Sequence, residues 1–214
     1  GEVFIPSGDF QMQKGDIISF AGTKKISRTF LENIGFHTHH VKDTMIIGGG
    51  KAAYYLADQL LHMGISVKII ENDRARCEEL SILLPKAIII NGDGSDQELL
   101  VEEGIQYAES FVPLTGIDEE NIFLSLFAQQ SSKAKIITKI NRITFDEIIN
   151  NFHLGSLIYP KYITSEYILQ YIRAMQNSLG SNIETLYRII ENKVEALEFH
   201  IGEDVMIPDE TLEN

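Results

Sequence analysis

An α/β chain with a doubly wound, six-stranded parallel sheet is the fold class that the sequence predicts. Three observations predict it. Short, continuously apolar runs recur between positions 44 and 160. Such runs belong to strands covered on both faces. A helix-period stretch follows nearly every run. The first run, "TMIIG", passes directly into "GGKAAYYLA", a glycine turn opening a helix. Parallel strands joined through helices cross over with one hand, which places helices on both faces of the sheet.

The elements follow in order. "TMIIG" is strand one, and 51–63 is a helix with Ala52, Leu56, Leu60 and Met63 about one turn apart. "SVKII" is strand two, followed by a helix over 74–84. "AIII" is strand three, and 96–103 a short helix. "SFVPL" is strand four, with Pro113 at its end because proline cannot donate to a ladder. A helix over 119–130 carries Ile122, Phe123, Leu126 and Phe127 inward. "KIITKI" is strand five, 145–150 a short helix and "SLIY" strand six. A longer amphipathic helix over 165–179 puts Ile168, Ile172, Met175 and Leu179 on one face, with Tyr171 beside it. "NSLGS" breaks the chain near Gly180.

The flanks read differently. Residues 1–40 suggest two short strands, 3–5 and 17–20, and a small helix over 25–33. They look like the closing hairpin of another module. Residues 181–214 hold nine acids and two bases, a net of -7 within a chain total of -13. Four segments result: 1–40, a core over 41–160, a crossover helix and hinge over 161–180, and a last piece over 181–214. The core is thus flanked by partial α+β subdomains. A chain that opens on Gly1 and ends in "DETLEN" is expected to be an excerpt of a longer protein.

Composition narrows the function. The 214 residues are 44% hydrophobic, enough for a real core. The acidic balance argues against a broad nucleic-acid footprint, which needs a positive surface. Cys77 is the only cysteine, so no intrachain disulfide or cysteine-rich zinc site forms, as fits a reducing compartment. No apolar stretch reaches membrane-spanning length and no signal peptide is visible.

The chemistry gathers at the strand ends. Gly48, Gly50 and Ala53 match G-x-G-x-x-[GA]. In this Rossmann-like motif the first glycine permits the turn, the second admits a pyrophosphate, and the small third residue lets the helix pack on the sheet. Amides at the helix start then face an anion. Lys51 either lies over phosphate or faces solvent. Glu71 ends strand two, where an acid accepts from an adenosine ribose. Its charge repels a ribose phosphate, so NAD(H), ATP or ADP fits better than NADP(H). Asn72 and Arg74 follow it, Arg74 reaching either ligand or water. Asn91, Asp93, Gly94, Ser95 and Asp96 lie beyond strand three. Asp93 can accept from an adenine amino group, and Asp96 can equally cap the next helix. Thr115 and Gly116 face the middle of the cleft, and Asp118 is a credible N-cap. Lys139, Asn141 and Arg142 border the other half, holding phosphate, a neighbouring subunit or only solvent; the same holds for Lys161.

Together "MIIGGGKAAYYLA", "VKIIENDRARCEEL", "INGDGSDQELLVEEGI", "PLTGIDEENIFLSLFAQ" and "TKINR" resemble the RCK/KTN family of TrkA-N domains, most of all the second domain of its tandem members. The resemblance covers 44–179. It implies a Rossmann core, a crossover helix used in dimer pairing, and a small C-domain that is incomplete here. Residues 1–40 would end a preceding C-subdomain, and 181–214 would begin the next. It further implies a homo-oligomer, a dimer within a gating ring, beneath a TrkH- or TrkG-like membrane potassium transporter, on the cytoplasmic face. ATP, ADP and NAD(H) would bias the ring. By motif, Gly48, Gly50 and Ala53 form the phosphate loop, Glu71 holds the ribose, Asp93 sits near the base, and Thr115 and Asp118 belong to the strand-four loop. Lys51 stands where the family commonly has arginine. "KINR" replaces "RVNR", so Lys139 keeps the charge without the arginine fork.

The expected activity is sensing without turnover. An NAD-dependent oxidoreductase fragment is the alternative, yet no substrate domain of useful size accompanies the core. A nucleotide-sensing transcription factor lacks a recognition module. His153 reads as structural and Cys77 as packing within a surface helix. His37, His39 and His40 form the densest ligand cluster, without an acid before Asp43 to complete a strong metal site.

Overall fold

Isoleucine, valine and methionine fill strand β1 (Asp43–Ile47) and strand β2 (Ser66–Glu71), and alternate residues point to opposite faces. Met45, Ile47 and Ile70 enter one apolar cluster; Ile46, Val67 and Ile69 enter another. Both faces are therefore buried, which is why β1 is continuously apolar rather than alternating, while Lys68 breaks the run in β2. Helices α2 (Lys51–His62) and α3 (Arg74–Leu83) cover one face through Ala53, Ala57 and Leu80. Helices α4 (Gln97–Glu102) and α5 (Asp118–Ser131) cover the other through Leu100, Leu124 and Ala128. Each fully buried isoleucine or leucine contributes roughly 1.5–3 kcal/mol of transfer free energy.

This arrangement is seen in a computed structural model that describes residues 5–6, 8–16, 18–20, 22–35, 40–142, 152, 154–177, 183–189 and 194–199. Strands β3 (Ile88–Asn91), β4 (Ser110–Pro113), β5 (Lys135–Lys139) and β6 (Ser156–Ile158) complete one parallel sheet in the order β3-β2-β1-β4-β5-β6. The order reverses direction between β1 and β4, and ligands of doubly wound folds bind at such a switch point. Ile47 stands opposite both Ile70 and Pro113, so three chains leave the sheet at one edge. Pro113 does end its strand. The ladder continues one residue later through Leu114 N–H, which donates to Ile47 O at 2.7 Å.

The chain divides into two units, His39–Ile163 and a second made of Gly1–Thr38 with Thr164–Asn214. The first holds the sheet. The second includes helix α1 (Lys24–Asn33), whose Thr23 cap accepts from Ile26 N–H, and the antiparallel pair β7 (Ile183–Ile189) and β8 (Val194–Phe199). Helix α6 (Pro160–Asn177) crosses the boundary. It starts five residues earlier than periodicity indicates, because proline in a first turn has no intrahelical bond to lose. Ile168, Tyr171 and Ile172 on it are exposed.

Several readings need correction. Ile18–Phe20 is not a strand; no described neighbour pairs with it, and a ladder needs two partners. On α2 the buried residues are Ala53 and Ala57, whereas Ala52 and Met63 are exposed. Close helix–sheet approach selects the smallest side chains, and Leu56 and Leu60 pack at the margin. Phe123 on α5 faces outward at 70% exposure. Ile122, Leu126 and Phe127 do pack inward as half-buried residues, and the fully buried stripe beside them is Asp118, Asn121, Leu124, Ser125 and Ala128. Cys77 is buried, in keeping with its reading as a packing residue. The helix expected over 145–150, the break near Gly180, and residues 1–4, 36–39 and 153 lie outside the described residues.

Candidate functional site

The crevice is built from the turns that follow β1 to β5. Gly48 leaves β1 with φ of +91°, a conformation that L side chains rarely adopt. Its N–H donates to Ile70 O at 2.8 Å. A Cβ there would stand 3.3 Å from the backbone of Leu114 and Thr115, so the turn lies directly on the β4 loop. Gly50 is the N-cap of α2, with no side-chain cap and open space where a Cβ would be. α3 and α4 differ: Asp73 accepts from Ala75 and Arg76 N–H, and Asp96 from Glu98 and Leu99 N–H. Asp96 thus realises the capping alternative. The start of α2, left without a side-chain acceptor, suits an anion.

Glu71 lies beside this turn. Its Oε2 accepts from Gly49 N–H at 2.5 Å and its Oε1 from Asp73 N–H at 2.8 Å. A carboxylate has about four acceptor positions, so the two amides leave room for a vicinal diol. Asn91 Nδ2 donates to the carbonyls of Glu71 and Asn72, holding the ends of β2 and β3 together. Gly94 crosses the end of β1; a Cβ there would come 2.2 Å from Ile47 Cγ2, so only glycine lets the β3 loop reach the cleft. Asp93 accepts from Ser95 N–H at 2.9 Å and Ser95 Oγ at 2.7 Å. Those bonds hold its pKa below the ordinary carboxylate value. Stability from this depressed pKa is present above the unfolded value and lost as pH falls through the folded one. In Ser95→Ala the Asp93 midpoint should move up toward the ordinary value. Carbon-detected NMR titration of its carboxyl reads this, and an unmoved midpoint refutes the assignment.

The other wall rests on polar contacts that hydrophobic periodicity does not reveal. Asn121, fully buried, accepts from Thr115 N–H at 2.9 Å and donates to Thr115 O at 3.3 Å and Lys139 O at 3.1 Å. Ser125 Oγ bonds Thr138 Oγ1 at 2.7 Å, and Thr138 donates to Leu154 O. Asp118 is not an N-cap; Ile117 holds that position. Its buried carboxylate accepts from Asn141 N–H, Asn141 Nδ2 and Arg142 N–H, all at 2.8–2.9 Å. Tertiary partners on the β5 loop outcompete the local cap. Arg142 also forks onto Glu119 at 3.0 and 3.1 Å. Lys139 Nζ donates to Leu114 O at 3.1 Å. Burial lowers its pKa, and the nearby Asp118 charge opposes that shift.

The ends of β1 to β5 therefore bring Gly48, Gly50, Ala53, Glu71, Asp93, Gly94, Ser95, Thr115, Gly116 and Lys139 to one edge of the sheet. Lys51 is exposed at the start of α2. Arg74 pairs with Glu78 on the surface of α3. Besides Asn121, Ser125 and Thr138, two more residues escaped the sequence reading. Gly49 and Arg76 meet where Arg76 Nε donates to Gly49 O at 2.7 Å. Burial pushes the Cys77 thiol pKa up, and the thiol donates to Glu71 O, as suits packing. Among the described residues no cluster of three or more His, Cys, Asp or Glu is placed for a metal; His37 and His39 fall outside them. Nor is any described helix long and apolar enough to cross a membrane. A groove of about 660 Å³ lined by Tyr107, Glu109 and Lys133 sits before β4 and β5, at the opposite edge from the crevice.

A parallel sheet in 3-2-1-4-5-6 order, with a glycine turn after β1 and an acid ending β2, defines a Rossmann-type domain of the nucleotide-binding class. Residues 44–160 match the TrkA-N domain, and the chain belongs to that family. It is 31% identical over 173 residues to the Trk system potassium uptake protein TrkA of Haemophilus influenzae, covering 81% of this chain and 38% of that protein. A Trk system potassium uptake protein trkA homolog of Methanosarcina mazei is 29% identical, covering 94% and 48%. The chain thus spans less than half the length of these relatives. Among solved structures, the GsuK channel superposes with a TM-score of 0.58 at 17% identity, covering 79% of this chain and 30% of that one. The same channel bound to NAD gives 0.52 at 13%, covering 78% and 30%.

Proposed function

We propose that the chain is the nucleotide-sensing part of a Trk-type regulatory protein controlling potassium uptake. Its ligand is NAD(H), ATP or ADP, held without turnover. One observation carries the reading: an uncapped helix start opens beside the Gly48 turn, with the Glu71 carboxylate across from it. Amides from Gly50 to Ala53, at the start of α2, receive phosphate, with Lys51 adding charge. Glu71 receives ribose hydroxyls, flanked by Asn72 and Arg74. Asp93, Gly94 and Ser95 border the base. Thr115, Gly116, Asp118 and Lys139 close the far side. An adenine nucleotide supplies charge and shape here, not chemistry.

The signal is a change in geometry. A ligand that fits one arrangement of the β1 and β4 loops better than another shifts the population toward it. The exposed apolar residues of α6 suit pairing with a second copy, which makes a dimer within a ring the working form. The ring acts on a TrkH- or TrkG-like transporter from the cytoplasmic side of the membrane. Residues 1–40 and 181–214 belong to subdomains of the longer tandem protein. The names of the relatives and the NAD-bound channel support this reading. Solution scattering with saturating ADP, ATP, NAD and NADH tests it. We expect at least two nucleotides to give distinct profiles while remaining chemically intact. Identical profiles at saturation, or consumption of ligand, overturn it.

A further inference from the structure

We infer that Arg76 is a positioning residue for phosphate recognition, fixing the Gly49–Gly50 peptide so that the Gly50 amide faces the crevice. The inference rests on the nucleotide reading above. Arg76 sits in the first turn of α3, where a cation opposes the helix dipole. Its reason for being there lies outside its own helix. Nε donates to Gly49 O at 2.7 Å, and Nη1 to Glu79 Oε2 at 2.6 Å. The guanidinium is planar, so two bonds from different edges fix its orientation.

A trans peptide is planar, and its C=O and N–H point in opposite directions. A Gly49 carbonyl turned toward Arg76 therefore turns the Gly50 N–H away from it. That amide stands at the cap of α2, where no side chain bonds and a Cβ would find no atom within 4 Å. On the preceding peptide, Gly49 N–H is held by Glu71 Oε2. Three successive glycines would otherwise sample many backbone states. Arg76 and Glu71 together remove that freedom before a ligand arrives, which is the preorganisation that raises affinity.

Calorimetry on the whole chain with ADP and with adenosine separates this role from others. In Arg76→Ala, ADP affinity should fall about tenfold, one charge-assisted hydrogen bond's worth, while adenosine affinity changes by less than about twofold. Arg76→Lys retains one donor and should recover part of the loss. Arg76→Gln carries the same comparison if the alanine variant does not fold. In the ligand-free protein the Gly50 amide resonance should shift in Arg76→Ala. Unchanged ADP affinity in a folded variant overturns the inference alone, as does an equal loss of ADP and adenosine. A wild-type chain that takes up no ADP overturns the nucleotide reading and the inference with it.

Discussion

Replacing Asn121 by leucine should cost about 3–5 kcal/mol of stability, although the two side chains are nearly the same size. The buried amide bonds the Thr115 N–H and the carbonyls of Thr115 and Lys139. Leucine satisfies none of them. Each buried polar group left without a partner costs roughly 1–3 kcal/mol, more than the net value of the bond it lost. Gained apolar contact does not offset three such groups, since the side chain is already fully enclosed. Urea unfolding would show a lower midpoint with an unchanged slope. A loss below about 1 kcal/mol would mean that the polar wall is not what holds the β4 loop. The variant should also weaken ADP binding, because Thr115 loses the contact that fixes its place opposite Gly48.

The same residue shows where sequence reading stops. The first strand was legible because a strand buried on both faces leaves an unbroken apolar run, as in "TMII". The glycine turn was legible because strand, glycines and helix are adjacent in the chain. On α5 the apolar inward residues Ile122, Leu126 and Phe127 were legible, but the polar ones were not. Asp118, Asn121 and Ser125 are buried against Asn141, Lys139 O and Thr138, so polar groups pair with polar groups and apolar periodicity misses the stripe. Phe123 was placed inward for the same reason. Asp118 shows local chemistry losing to tertiary chemistry: its spacing fits a cap, yet partners 23 and 24 residues away take the carboxylate. Gly49 joins Glu71 and Arg76 across 22 and 27 residues, a separation no local pattern reports. The ligand assignments for Glu71 and Asp93 came from strand ends, and the structure adds the amides that orient each carboxylate.

Gly48 and Gly50 form the sharpest test of the crevice, because the same substitution should act on them differently. Gly48→Ala puts a side chain at φ of +91°, which costs about 1–2 kcal/mol for an L residue. Its Cβ also presses on Leu114 and Thr115 backbone atoms at 3.3 Å. Neither side moves easily, since Gly48 N–H is tied to Ile70 O and Leu114 N–H to Ile47 O. We expect a loss of roughly 2–3 kcal/mol in stability together with at least a tenfold loss in ADP affinity. Gly50→Ala meets no such obstacle. Its φ is -65° and nothing lies within 4 Å of the new methyl. Stability should change by less than about 1 kcal/mol, the usual scale of an N-cap exchange. ADP affinity should nevertheless fall, because the methyl fills the space through which a pyrophosphate meets the amides of α2. Only a ligand explains a cost in binding where folding registers almost none. Thermal melts beside ADP titrations of both variants read the contrast, and a Gly50→Ala chain that binds ADP like wild type would remove phosphate from this turn.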